Sequence, residues 1–343
     1  MTAHPVVLIP GDGIGPEVAD ATVKVLEAAK APVRFITRYA GEAALERGME
    51  HVLPVETIEA IREHHIAIKG PCSTPVGKGF SSVNVALRRT LNLYAALRPF
   101  RSLPGVPTRY ENVDLIVVRE NTEGLYSGIE NQITDGVVVS MKVATRHACH
   151  RIAHWAFRYA THQQRKKITV FHKANIMKLS DGMLLSEAKK VHDVDYPNIK
   201  YQEVIVDAGH MRLVQDPTQF DIIMCENLYG DLVSDLCAGL VGGLGVSPGA
   251  NIGDTDAVFE AVHGSAPDIA GQGVANPLAL MMSASMMLRH LGETRSDESA
   301  KRASARVQAA FDKALLDGQK TRDLGGSLGT QDFAQAVIDR LAD

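Results

Sequence analysis

At 343 residues the chain is long enough for two domains and a sizeable buried core. Hydrophobic residues make up 45% and charged ones 22%, the profile of a globular protein. A net charge of −4 excludes a strongly basic nucleic-acid surface. The cysteines Cys72, Cys149, Cys225 and Cys237 show no CxxC spacing, so they read as reduced structural thiols and not as a zinc site. The start, Met1-Thr2-Ala3-His4-Pro5, lacks the basic and apolar regions of a signal peptide, and no apolar run of roughly 18 residues follows. The cytoplasm is the expected compartment.

Val6-Val7-Leu8-Ile9 reads as a buried strand, and Pro10-Gly11-Asp12-Gly13-Ile14-Gly15-Pro16-Glu17 as a tight turn into a helix. Val18, Ala21, Val25, Leu26 and Ala29 give that helix its apolar stripe. No GxGxxG occurs, so an ordinary Rossmann fingerprint is absent. Strand and helix signals alternate through Val33–Thr37, Val55–Ile61 and Ile66–Lys69, which predicts an α/β protein with a largely parallel sheet. A Gly- and Pro-rich loop, Gly70 to Phe80, precedes a helical stretch from Ser81 to Arg89 that holds Ser82, Asn84 and Arg88. Arg98 is expected to end a strand over 93–97, and Arg119 one over 113–118. Three arginines beside loops would suit a polycarboxylate, because a guanidinium grips a carboxylate bidentately. Each taken singly reads equally as a solvated surface charge.

Tyr126 lies among glycines in the polar stretch Glu120 to Gly128, placed either for packing or as a proton donor. A strand is expected over 137–143 and an amphipathic helix over 145–163, with Ile152, Trp155, Ala156 and Tyr159 on one face. The strand 168–171 delivers Lys173, whose pKa would fall if it were buried beside cations. A strand over 204–206 is expected to end in Asp207. The strand 220–224 runs into Asn227-Leu228-Tyr229-Gly230-Asp231-Leu232-Val233-Ser234-Asp235, a helix start. Spacing of four residues puts Asp231 and Asp235 on one helix face. Such a pair either complements the helix dipole or holds a hard divalent cation. The glycines from Gly239 to Gly253 mark a return between domains, and Asn276-Pro277 opens a long apolar helix.

Five stretches together carry a resemblance over nearly the whole chain: Gly11 to Glu17, Arg119 to Gly124, Lys173 to Lys178, Asn227 to Asp235 and His263 to Gly271. In this order they resemble the β-decarboxylating dehydrogenases of the isocitrate/isopropylmalate dehydrogenase family. The resemblance implies that family's α/β fold, with two domains, a non-Rossmann nucleotide site and the active site in the cleft between the domains. The large, nucleotide-binding domain would comprise residues 1–99 and 251–343, and the small, dimerisation and catalytic domain residues 100–250. It also implies a homodimer with shared active sites, in which Lys173 and Asp207 of one subunit complete the site of the other.

By the same resemblance, Asp207, Asp231 and Asp235 would hold Mg²⁺ or Mn²⁺, and Lys173 and Tyr126 would move protons. Arg88, Arg98, Arg119, Ser82, Asn84 and Asn175 would bind substrate. NAD would lie against Ile14, Thr74, Glu260, His263, Gly264, Ser265, Ala266, Asp268, Ile269 and Asn276. The Ser82/Asn84/Arg88 pattern is similar to that of the family's isocitrate enzymes, with homoisocitrate or 3-isopropylmalate as the alternative substrate. Asp268-Ile269 stands where NADP-dependent relatives carry Lys-Tyr, so NAD is the expected coenzyme. A non-catalytic regulatory subunit is the alternative of another class, and the presence of Tyr126, Lys173, Asp207, Asp231 and Asp235 argues against it.

Overall fold

A computed structural model describes residues 3–74 and 82–341. The sequence readings at Met1, Thr2, Ser81 and the loop residues Pro75 to Phe80 lie outside the described residues. In chain order the first elements are β1 (His4–Ile9), α1 (Gly15–Ala28), β2 (Val33–Thr37), α2 (Glu42–Leu45), α3 (Val55–His64), β3 (Ile66–Lys69) and α4 (Val83–Thr90). Next come β4 (Ala95–Arg101), β5 (Asp114–Glu120), β6 (Glu130–Thr134), β7 (Val137–Ser140), α5 (Arg146–His162), β8 (Lys167–His172) and α6 (Ser180–Asp195). Then follow β9 (Lys200–Ile205), α7 (Val206–Gln215), β10 (Ile222–Cys225), α8 (Asn227–Val241), β11 (Pro248–Ile252) and β12 (Ala257–Ala261). Helices α9 (Leu278–Thr294), α10 (Glu298–Leu316) and α11 (Thr330–Ile338) complete the chain. Among the described residues no helix is long and apolar enough to cross a membrane.

The chain forms two compact units: residues 1–91, 102–108 and 242–343, and residues 92–101 with 109–241. In the first unit the strands run β2-β1-β3-β12-β11, all parallel except the β11–β12 pair. Parallel strands bury both faces, which is why Val6, Val7, Ile9, Ile66, Ala67 and Ile68 are all inaccessible. Helix α9 lies under this sheet with its first eleven residues buried, from Leu278 to Leu288. In the second unit the order is β4-β5-β10-β8-β9, with only β4–β5 antiparallel. Within each unit the parallel strands end along one sheet edge, where ligand-binding loops of α/β folds gather.

Three expectations need correction. Strand β4 runs on through Pro99 to Arg101, with Arg98 opposite Val117 and Pro99 opposite Ile116. Arg98 therefore sits in mid-strand; a proline is tolerated in a strand where no N–H is needed. Asp207 follows no strand end directly, because β9 stops at Ile205 and Asp207 lies in the first turn of α7. Helix α8 starts at Asn227 and has no acid in its first turn, so Asp231 and Asp235 lie beyond it.

Candidate active site

That last correction changes the electrostatic argument. The helix dipole acts mainly within the first turn, so it gives no account of a carboxylate pair further along α8. Asp235 has its carboxyl pushed up by burial first and then by the charge of Asp231, while Arg98 and Arg119 pull it down. The two acids stand as a like-charge pair on one face, as their spacing predicts.

The sheet register brings cationic and phenolic partners to this pair. Arg119, next to last in β5, stands opposite Cys225 at the end of β10, and two residues later α8 begins. Gly230 permits the close approach, since a Cβ there would meet the Arg119 Cβ at 2.6 Å. Arg119 is 1% exposed. Its Nε and Nη2 donate to Asn227 Oδ1 at 3.0 and 2.7 Å, and its Nη1 donates to Asp231 Oδ1. The Tyr126 hydroxyl donates to the other oxygen of Asp231. The Arg119 guanidinium lies 4.9 Å from the Tyr126 ring centre. Burial, and then the Asp231 hydrogen bond and charge, push the Tyr126 phenol up. It is therefore held protonated, as a proton donor must be. Asn227, which orients the guanidinium, was missed in the sequence because a lone asparagine at a helix start reads as a cap.

Lys173 follows β8, and its Nζ reaches Asp207 Oδ1 at 2.5 Å. That hydrogen bond is the main cause of the lowered Asp207 carboxyl. Asn175 is exposed two residues on. Among the described residues no three of His, Cys, Asp and Glu converge as a metal site, so Asp207 is not grouped with Asp231 and Asp235 in this chain. The α8 pair nevertheless fits part of a ligand set for a hard divalent ion: two carboxylates, one of them raised by the other's charge, are what such a cation relieves.

In the first unit, three strand ends assemble a second cluster. The Ile14 N–H donates to Ser265 O at 2.9 Å, and a Cβ on Gly13, whose φ is +58°, would lie 2.0 Å from that same oxygen. Ser73 Oγ is 3.0 Å from Ser265 Oγ, and Asp12 accepts from the Ser73 and Ala43 N–H groups at 2.8 Å each. The turn after β1, the loop after β3 and the stretch His263 to Gly271 after β12 are thus laced together. Thr74, Gly264 and Asp268 are exposed at its surface, with Ser265, Ala266 and Ile269 partly so. His263 Nδ1 contacts Gly264 O at 3.0 Å, while its buried Nε2 has no hydrogen-bond partner among the described residues. Burial lowers its pKa, which leaves a neutral ring open to a ligand contact. Asn276 is committed internally: its amide donates to Asp323 and its oxygen accepts from the Leu278 N–H.

Glu260 is equally committed. Its register neighbour on β3 is Lys69, and Lys69 Nζ contacts Glu260 Oε2 at 2.8 Å. Arg88 Nη2 and Asn251 Nδ2 donate to Glu260 Oε1 at 3.3 and 2.7 Å. Ser82 caps α4, accepting from the Val85 N–H, so its hydroxyl is engaged with its own helix. Asn84 Oδ1 and Arg88 Nε are buried without hydrogen bonds among the described residues, as expected of groups that await a polar ligand.

Lys69, which no local sequence signal marks, is 1% exposed. Burial acts to lower its pKa, but the charge and hydrogen bond of Glu260 leave it raised overall. Lys69→Met is expected to destabilise the protein by about 3–5 kcal/mol, the cost of breaking a buried ion pair on one side. Urea denaturation of the ligand-free protein checks this, and a change below about 1 kcal/mol would mean that Arg88 and Asn251 satisfy Glu260 alone.

The comparisons with known proteins agree with this arrangement. Residues 5–337 match the family described as isocitrate/isopropylmalate dehydrogenase. A regulatory subunit of the mitochondrial NAD isocitrate dehydrogenase from Dictyostelium discoideum is 48% identical, covering 98% of this chain and 92% of its own. Catalytic subunit 5 of the Arabidopsis thaliana mitochondrial enzyme is also 48% identical, over 97% and 87%. A crystal structure of isocitrate dehydrogenase from Methylococcus capsulatus superposes with a TM-score of 0.93 at 46% identity, covering 99% of this chain and all of that one. The first two relatives are named as mitochondrial subunits, so they lend no support to a cytoplasmic homodimer. The chain belongs to the isocitrate/isopropylmalate dehydrogenase family.

Proposed function

We propose that the chain is a catalytic subunit that oxidises and decarboxylates isocitrate to 2-oxoglutarate and CO₂ with NAD as coenzyme. One observation carries the reading above the others: a carboxylate pair, a guanidinium and a protonated phenol meet on one face of α8. Asp231 and Asp235 would hold Mg²⁺ or Mn²⁺ together with the partner subunit's Asp207. Once bound, that cation supplies Lewis acidity, lowering the pKa of the substrate hydroxyl and offsetting the charge left as CO₂ departs. NAD supplies the hydride acceptor.

The chain's own residues do the rest. Arg88, Arg98 and Arg119 each offer a guanidinium to a substrate carboxylate. Asn175 adds an exposed amide beside Lys173. The partner subunit's Lys173 takes or relays the hydroxyl proton as the hydride leaves, giving a β-keto acid. Tyr126 then gives its proton to the carbon that CO₂ vacates. The unit holding both termini carries the coenzyme, and the second unit pairs with its copy. The β6–β7 hairpin supports that pairing, since Ile133 and Val138 are 65% and 63% exposed on a two-stranded ribbon.

Substrate and coenzyme choice test the proposal together. The Asp268 carboxylate, exposed in the loop after β12, can accept from the ribose hydroxyls of NAD and would repel a 2′-phosphate. Steady-state rates with isocitrate, homoisocitrate and isopropylmalate, each with both coenzymes, should be highest for isocitrate with NAD⁺. NAD⁺ should be preferred by at least ~100-fold in kcat/KM, which takes only about 3 kcal/mol. Equal use of NADP⁺ would overturn the role of Asp268, and faster turnover of isopropylmalate would overturn the substrate. No turnover by the purified chain would favour the regulatory reading.

A further inference from the structure

Among the buried acids outside the proposed catalytic set, Asp181 is the one bonded to the Lys173 backbone. Asp181, in the first turn of α6, is 2% exposed, yet it touches neither the α8 carboxylates nor the arginines. One of its oxygens, Oδ2, accepts the backbone N–H of Lys173 at 2.7 Å. The other, Oδ1, accepts from the Lys142 ammonium at 2.6 Å and from Ser180 Oγ at 3.3 Å, and the Tyr229 hydroxyl of α8 also donates to this carboxylate. Between Lys173 and Asp181 the chain makes a short excursion. The Ile176 and Met177 N–H groups turn back onto Lys173 O, and the Asp181 N–H onto Met177 O. At its tip Ile176 and Leu179 are 69% and 88% exposed. Asp181 closes this loop across its base, so the position of Lys173 depends on a bond from a residue that never meets the lysine's own ammonium.

We propose that Asp181 is a positioning residue that fixes the backbone of Lys173 and thereby aims its side-chain nitrogen for the proton transfer. The inference rests on the role given to Lys173 above. The charge arrangement is suited to the task. A buried carboxylate is retained only if it is compensated, and Lys142, 14% exposed at its side chain, supplies the compensation. The ion pair anchors the carboxylate, and the carboxylate anchors the loop. A serine or asparagine cap could accept the same N–H, but it would leave the Lys142 ammonium only the more distant Glu226 as a counter-charge. Lys142 also lies 3.8 Å from Glu226 and 4.7 Å from the Tyr229 ring centre, so the anchor is itself fixed by α8 and the residue before it.

The test separates the hydride step from decarboxylation. Asp181→Glu keeps the charge but is one methylene longer, so the loop base must shift. Asp181→Asn keeps the size but loses the ion pair. Each variant should lose at least about 30-fold in kcat with isocitrate, since a displacement near 1 Å can cost ~10²-fold. KM for isocitrate should stay within about threefold, because the substrate-binding arginines are untouched. Decarboxylation of the β-keto acid, supplied directly and read as CO₂ release, should stay near wild type, because Lys173 has no part in that step.

Pairing with Lys173→Met makes the two ideas separable. The double variant should be no slower than Lys173→Met alone, as expected of residues that act as a unit. Full activity of Lys173→Met would overturn the role of the lysine itself. Inactive Lys173→Met beside Asp181→Glu with wild-type kcat would overturn the positioning role alone. So would parallel loss of both partial reactions, or a loss in the double variant equal to the product of the two single losses. If Asp181→Asn does not fold, Asp181→Glu decides the question in the same way.

Discussion

Asp231→Asn should lower kcat by at least about 10³-fold, a loss of about 4 kcal/mol of transition-state stabilisation. The change is nearly isosteric, and the asparagine carbonyl can still accept one of the bonds that Arg119 and Tyr126 now donate. The side chain is 34% exposed, so the fold should hold, as circular dichroism and the oligomeric state can verify. Two readouts do not depend on turnover. Mn²⁺ binding should weaken strongly, because one of the hard oxygen ligands loses its charge. The carboxyl of Asp235 should titrate lower than in the wild type, because the charge of Asp231 is one cause of its upward shift. A wild-type enzyme that stays fully active in excess chelator would sink the metal assignment altogether.

The helix face carrying these two acids was legible in the sequence, and its meaning was only half so. Periodicity of four places Asp231 and Asp235 together whatever the helix start. The choice between dipole and metal, however, turns on where the helix begins, and a boundary is the least determined part of any such reading. The structure puts that start at Asn227, and with it the dipole explanation loses its footing. The first unit was legible for another reason. Short apolar strands followed by glycine turns leave few alternatives, and β1, α1, β2 and β3 fall within a residue or two of their expected spans.

What the sequence hid were the long-range partners. Lys69 and Glu260 are 191 positions apart and meet only because β3 and β12 are register neighbours. Asn227 and Arg119 meet for the same kind of reason, through the pairing of β5 with β10. No local pattern encodes such pairings. Arg98 and Asp207 were misplaced relative to their strands for a local cause. A proline after one and a short apolar run before the other imitate strand ends. Both residues lie in the second unit.

A dimer with shared sites makes a sharper prediction than either catalytic residue alone. Lys173 is engaged with Asp207, and Tyr126 with Asp231, so the two proposed proton carriers belong to separate clusters in this chain. Lys173→Met and Tyr126→Phe homodimers should each retain less than about 1% of wild-type kcat, since each removes a proton transfer worth 10²–10⁴-fold. Mixing the two variants, dissociating them and reassembling them at equal amounts should then restore activity. If Lys173 serves the partner's site, a heterodimer has one site with both residues intact and one with neither. Random pairing makes about half of the dimers mixed, so recovery should approach about a quarter of wild type. The recovered activity should also titrate with the mixing ratio and peak at equal amounts. If Lys173 serves its own subunit, every site in the mixed dimer lacks one residue and nothing is recovered. Verified heterodimers with no activity would therefore place Lys173 in its own subunit's site and remove the reason for a shared arrangement.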